Sequence, residues 1–268
     1  MAIPKIIHYC WFGGNPFSKM EKECIESWKK FCPDYEIMCW DESNVDLSES
    51  PYAQEAFANK KWSFVSDYVR NVVIYKYGGI YLDTDVKLIK SLDDLLELKA
   101  YAGIEDPWTV NTGLGFGSEK NNPIVKEFIS DYLTMSYLDE NGNVNGIIQP
   151  ELTTKVLVKH GFKLYQNEKQ QVENFTIFPI DYFCPYDIRV NKMKITPNTF
   201  SIHYYNASWY TEEQKKARKI LTRRRKLERI IGKRLYKVWE SIRFILFEGG
   251  LKSILKSKFK TEVDQYEK

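Results

Sequence analysis

Asp83 and Asp85 stand one residue apart in "GGIYLDTDV", where a short apolar run that follows two glycines comes to an end. If the run is a strand, the chain turns beyond it and both carboxylates can converge on one ion. Hard oxygen ligands suit Mg2+ or Mn2+, which keep several waters and take one or two carboxylates together with substrate phosphates. A diphosphate leaving group is the natural companion of such a pair. The spacing alone is a weak signal, because paired acids also serve as turn residues at strand ends. Just upstream, Asp67, Arg70, Asn71 and Ile74 fall on one face of a predicted helix. Asp67 and Arg70 read either as an i, i+3 salt bridge worth about 0.2–0.5 kcal/mol or as a carboxylate and planar guanidinium that grip sugar hydroxyls through directional hydrogen bonds.

Those residues need a scaffold, and the chain alternates strand and helix signals. "PKIIHYCW" reads as a first strand, "SKMEKECIESWKKF" as a helix with Met20, Cys24, Ser27, Trp28 and Phe31 on one face, and "YEIMCW" as a second strand. "SFVSDYVRNVVIYKYGG" is the next predicted helix, stopped by Gly78 and Gly79. "IYLD" follows as a strand buried on both faces, which puts Asp83 at its carboxyl end, where open α/β sheets place their ligands. "AYAGIE", "GLGFGS", "FTIFP" and "FSIHYYN" supply further strands, and "PIVKEFISDYLTMSYL" and "PELTTKVLVKHG" further helices. This alternation predicts an α/β fold with a mostly parallel sheet flanked by helices.

Composition excludes several classes. The 268 residues are 43% hydrophobic and 15% aromatic, and no apolar run approaches the ~20 residues of a membrane span. The amino terminus, "MAIPKIIHYCWFGG", reads as a strand rather than a signal peptide. The five cysteines, Cys10, Cys24, Cys32, Cys39 and Cys184, form no C-x-x-C pair, which argues against a zinc site or disulfide framework and for a reducing cytosol. Between Lys215 and Lys260 seventeen Lys/Arg face three Asp/Glu, a net charge of +14 that leaves −11 for the rest of a chain whose total is +3. The expected division is therefore a catalytic domain over residues 1–210 and a basic amphipathic helical extension over 211–268, beginning at a helix-start pattern on Thr211.

"SDYVRNVVIYKYGGIYLDTDV" and "IPKIIHYCWFGG" resemble D-x-D nucleotide-sugar glycosyltransferases of the capsular polysaccharide synthesis, initiating α-1,6-mannosyltransferase and α-1,4-galactosyltransferase type. A similar block marks the glucosylating domain of large bacterial toxins. The resemblance spans roughly residues 3–210. It implies a Rossmann-like GT-A fold, Mn2+ or Mg2+, and transfer with retention from a nucleotide-diphosphate sugar to a glycan acceptor in bacterial surface polysaccharide synthesis. A UDP-hexose such as UDP-galactose or UDP-glucose is the expected donor and GDP-mannose the alternative.

The resemblance also implies roles. Asp83, Asp85, Arg70, Asp67 and Gln149 would serve catalysis; Asp85, His203 and Asp83 would hold the metal; Trp11 would line the base pocket. Asn111, beside Thr112 in the expected loop "VNTGLGF", would contact donor or acceptor, and Ser208 and Trp209 of "HYYNASWY" would meet the diphosphate and nucleotide. Gln149 stands where many relatives carry glycine, so acceptor recognition differs there, and Gln149 could itself reach the sugar. His8 and His160 read as structural.

No carboxylate is identifiable from sequence as a nucleophile, which favours front-side attack over double displacement. A haloacid dehalogenase-like phosphatase, whose first Asp is a nucleophile, is the rival, but its motif normally lies near the start of the domain. The tail repeats Leu221, Leu227, Ile230, Ile231, Leu235, Val238, Ile242 and Ile245 at three- and four-residue steps among basic residues, the pattern of an interfacial helix. A lipid-linked acceptor, a peripheral position on the anionic inner face of the cell membrane, and no nucleic-acid partner follow as expectations.

Overall fold

The structure is a computed structural model that describes residues 2–105, 109–145, 148–187 and 192–205. The expected boundary at 210, the basic extension, Ser208 and Trp209 lie outside the described residues.

In chain order the elements are β1 (Ile6–Cys10), α1 (Lys19–Phe31), β2 (Glu36–Trp40), α2 (Pro51–Ala58), α3 (Trp62–Tyr77), β3 (Gly79–Tyr81), β4 (Val86–Leu88), β5 (Ala100–Glu105), β6 (Thr109–Asn111) and β7 (Phe116–Ser118). There follow α4 (Pro123–Ser130), α5 (Gln149–Lys159), β8 (Gln170–Val172), β9 (Phe175–Phe178), α6 (Ile180–Phe183), β10 (Tyr186–Asp187), β11 (Lys192–Met193) and β12 (Ser201–His203). The main sheet has the order β2-β1-β3-β7-β5-β9-β8, with β6 paired to β5. Strands β2, β1 and β3 pair in parallel; β7 runs opposite to both β3 and β5, which makes β5 co-directional with β3, and β9 is parallel to β5. Five of the eight strands thus run one way, the mostly parallel α/β sheet flanked by helices that the alternation predicts.

Local chemistry explains the main elements. Ser18 caps α1, accepting from Met20 N while Glu21 reaches back to Ser18 N, and Cys24, Ser27 and Trp28 form its buried face. Helix α3 ends at Gly78, whose φ of +70° admits glycine without the penalty a Cβ would bring. Side chains alternate across β3: Tyr81 enters a core that includes Val69 and Val73 of α3, and Ile80 and Leu82 enter the opposite core with Trp28 of α1. Burial on both faces is why β3 reads as a continuous apolar run.

Two expectations differ. The helix predicted to run from Pro123 to Leu138 stops at Ser130 and continues only as a short 3-10 turn, Asp131–Leu133. Ser130 Oγ donates to Glu127 O and Thr134 Oγ1 to Asp131 O, the local competition that makes Ser and Thr poor helix continuers. The loop predicted at "VNTGLGF" begins inside a strand, β6, paired antiparallel to β5. Among the described residues no helix is long and apolar enough to cross a membrane.

Candidate active site at the carboxyl end of β3

Past β3 the chain turns through Asp83 to Asp85 and re-enters an extended course as β4, with Val86 N bonded to Asp83 O. Strand β12 lies antiparallel to β4 and sets His203 opposite Val86. That register brings His203 Nε2 within 3.1 Å of Asp85 Oδ1. Asp83, Asp85 and His203 each present a ligand atom, and the three atoms lie within 4.8 Å of one another. Adjacent ligands at ~2.1 Å from an octahedral ion are separated by about 3 Å, so the Asp85–His203 edge fits a shared Mg2+ or Mn2+.

Behind this trio sits Arg70, nearly buried on α3. Its Nη2 is 3.0 Å from Asp83 Oδ1 and 3.1 Å from Asp67 Oδ1, its Nη1 donates to Gln149 Oε1 at 3.4 Å, and its guanidinium lies 4.9 Å over the Tyr81 ring. Gln149 is itself buried, at the start of α5, and donates to Thr153 Oγ1. Its side chain faces Arg70 and Thr153, so it steadies the guanidinium.

Among the described residues, carboxylates outnumber basic groups at this site. Burial pushes the Asp67 carboxyl up to about 6, with Asp83 adding to the rise and Arg70 opposing it. Asp83 is raised by burial and by Asp85, against the pull of Arg70. Burial disfavours a charged His203, but Asp85, Asp83 and Glu105 outweigh it, and the imidazole pKa lies above its ordinary value. Four carboxylates, Asp67, Asp83, Asp85 and Glu105, thus surround one guanidinium and one imidazole.

Glu105 and Gly113 escaped the sequence reading. Glu105, at the end of β5, is pushed up by burial and accepts from Asn111 Nδ2 at 2.9 Å and Tyr205 Oη at 3.1 Å. Asn111 Oδ1 in turn accepts from Gly113 N. A Cβ on Gly113 would lie 2.1 Å from Asp83 Oδ2, so only glycine fits there. Next to it Thr112 is buried, and its Oγ1, like Arg70 Nε and His203 Nδ1, has no hydrogen-bond partner among the described residues.

Trp11 lies apart from these contacts. It follows β1, is half-buried, bonds Trp40 O through its backbone and Asn15 O through its indole, and packs on Phe17 at 4.5 Å between ring centroids. His160 bridges Glu127 and Glu173 at the end of α5, and His8 is enclosed in the sheet.

A paired-acid turn alone would be ambiguous; here a separate strand delivers a histidine to it and a buried arginine stands behind it. Residues 18–102 match the glycosyltransferase sugar-binding region containing a DXD motif. The matched stretch runs from the cap of α1 to the first residues of β5 and includes Asp67, Arg70, Asp83 and Asp85. Inositol phosphoceramide mannosyltransferase 3 of Schizosaccharomyces pombe is 31% identical over 154 residues, 51% of this chain and 42% of that protein. A mannosyl phosphorylinositol ceramide synthase of Saccharomyces cerevisiae is 24% identical over 78% of this chain and 53% of its own. These relatives are named for sphingolipid mannosylation rather than capsule synthesis. The chain spans about half the length of the curated relatives it matches. Among solved structures, the PaToxG glycosyltransferase aligns over 59% of this chain and 69% of its own at 21% identity, with a TM-score of 0.47.

Proposed function

We propose that this chain is a metal-dependent glycosyltransferase of GT-A type that moves a hexose, with retention, from a nucleotide-diphosphate sugar to a lipid-linked glycan acceptor. The observation that carries the reading is the convergence of Asp83, Asp85 and His203 at one strand end beside the buried Asp67–Arg70 pair. Among the described residues four carboxylates stand against one guanidinium and one imidazole, an excess of negative charge that a divalent cation would balance, and the donor set of two carboxylates and one imidazole suits Mn2+ or Mg2+. Asp85 and His203 would hold the ion directly, with Asp83 completing the set. Bound there, the ion would neutralise the charge that develops on the leaving diphosphate.

The chain's own residues supply the rest. Arg70, held by Asp67, Asp83 and Gln149, would turn its guanidinium to the sugar hydroxyls. Asp67 would accept from a second hydroxyl, and half-buried Trp11 would stack on the base. Asn111 would help shape the pocket floor, and Ser208 and Trp209 would meet the diphosphate. Retention by front-side attack is supported because Glu105, the additional carboxylate of the site, has one oxygen committed to Asn111 and Tyr205. The phosphatase alternative needs Asp83 as a nucleophile, and Asp83 Oδ1 is instead tied to Arg70 at 3.0 Å.

The relatives named for inositol phosphoceramide favour mannose, and hence GDP-mannose, as the transferred group. A UDP-galactose reading is kept by the lactosylceramide 4-alpha-galactosyltransferase of Rattus norvegicus, 30% identical over 45% of this chain. Both names specify lipid acceptors, which supports the expectation that the basic tail docks on an anionic membrane surface. A donor panel of GDP-mannose, UDP-galactose and UDP-glucose, assayed for hydrolysis with Mn2+ and with chelator, tests the function. One donor should be turned over only with metal; turnover of none, or equal turnover in chelator, contradicts it. Vesicle co-sedimentation tests the docking: binding should need anionic lipid, fall with salt, and vanish on truncation after residue 209.

A further inference from the structure

Both arms of the metal cluster lead back to Glu105. One arm runs through β6. Glu105 accepts from Asn111 Nδ2 at 2.9 Å; Asn111 Oδ1 accepts from Gly113 N at 2.6 Å; Gly113 O accepts from Asp83 N at 3.0 Å. The missing Cβ of Gly113 is the space that Asp83 Oδ2 occupies. The other arm runs through the residues after β12. Glu105 accepts from Tyr205 Oη at 3.1 Å, and the Tyr205 ring lies 4.1 Å from the His203 ring, whose Nε2 meets Asp85.

Tyr205 is held at a price in backbone conformation. Its φ is +51°, a left-handed value that a bulky side chain rarely adopts, and such residues persist where surrounding contacts over-determine them. Here the contacts are the Glu105 carboxylate, the Cys184 thiol at 2.8 Å from the same hydroxyl, and the His203 ring. A neutral hydrogen bond would be the weaker restraint; a bond to a carboxylate is about twice as strong.

We infer that Glu105 is a positioning residue that fixes Asp83 and His203 at once, through Asn111–Gly113 and through Tyr205, and so sets the affinity of the site for its divalent ion. The inference rests on the metal-site reading above, and its test is read in metal binding, with no dependence on which sugar is transferred. Partners that orient first ligands typically contribute 10–100-fold to metal affinity.

The experiment is a titration of the full-length chain with Mn2+ alone, followed by the loss of the free-ion paramagnetic resonance signal, with melting temperatures measured in parallel. Glu105→Ala should weaken Mn2+ binding by roughly 10–100-fold. Glu105→Gln, whose amide oxygen can still accept from both donors, should recover most of that affinity. Tyr205→Phe removes one arm and should cost a smaller factor, and the double variant Glu105→Ala/Tyr205→Phe should bind no more weakly than Glu105→Ala alone, because both act through one connection. Wild-type affinity in Glu105→Ala, or losses that simply multiply in the double variant, would overturn the inference. If Glu105→Ala does not fold, Tyr205→Phe decides: unchanged Mn2+ affinity there overturns it. A wild-type chain that binds Mn2+ and responds this way while transferring no sugar keeps the inference and removes the glycosyltransferase reading.

Discussion

The two ends of β3 are both buried and hold polar groups in opposite ways. At the amino end His8 is fully enclosed, its Nε2 donates to Gly78 O at 2.8 Å, and its Nδ1 accepts from Trp40 Nε1 at 3.0 Å. Each ring nitrogen has one partner, the tautomer is fixed, and burial holds the imidazole pKa down at about 4. At the carboxyl end the acids outnumber their cations, and buried donors on Arg70 and His203 lack partners among the described residues. The chain completes the first end by itself. Among the described residues the second end gathers carboxylates and donors that the proposed ion and sugar donor would engage, and that contrast is why His8 reads as structural and His203 as a ligand.

Substitutions at the two ends should therefore move different observables. The largest effect is expected for Asp85→Asn: metal-dependent donor turnover should fall by three orders of magnitude or so, about 4 kcal/mol of lost charge stabilisation. The melting temperature should hold or rise, because one of two adjoining carboxylates is neutralised. Coupled loss of turnover and melting temperature would mean that Asp85 is structural, like His8.

The amino end should show itself in stability against pH. A folded pKa near 4 against 6.5 unfolded means that the unfolded state binds the extra proton first as pH falls. The stability from a neutral His8 is complete above pH 6.5 and is lost as pH drops toward 4, by about 3 kcal/mol at the limit. Denaturant melts should show the wild type losing about 3 kcal/mol more stability than His8→Gln between pH 7 and 4, and parallel curves would refute it.

Gly113→Ala probes the contact between the ends' architectures, since its Cβ would meet Asp83 Oδ2. Overpacking of this kind costs about 1–3 kcal/mol. A shift in Mn2+ affinity should accompany it, whereas Gly161→Ala, at a left-handed glycine with open space around it, should change stability alone.

The smallest effect belongs to His160. Its bond to Glu173, with Glu127 adding, raises its pKa against partial burial. The pair's contribution is complete below the unfolded value near 6.5 and fades as pH rises through the raised folded value. For a site this near solvent it should amount to about 0.2–1 kcal/mol. His160→Gln melts at pH 5.5 and 8.5 should show a difference only at the lower pH.

Much of this arrangement was legible in the residues. Helix α3 carries a 3.6-residue pattern closed by Gly78, and β3 is short, apolar and followed by acids, so Asp67, Arg70, Asp83 and Asp85 fell into place from local signals. The three-residue strands β4 and β6 are too short to show alternation, and β4 is what carries the register that delivers His203. Glu105 looked like the last residue of a strand because its partners Asn111 and Tyr205 are 6 and 100 positions away. Gly113 is required by a side chain thirty residues earlier, a demand that no window of sequence contains. Sequence alone let Gln149 reach a sugar, and the packing of α5 adds that its side chain engages Arg70 and Thr153.

The central claim, that the carboxyl end of β3 is a divalent-ion site and the amino end is not, is tested most directly by Mn2+ binding. Titration of the wild-type chain should give one saturable site per molecule, which is lost in Asp85→Asn and in His203→Gln and kept in His8→Gln. Absence of saturable binding to the wild type, or equal binding by Asp85→Asn, would contradict the account.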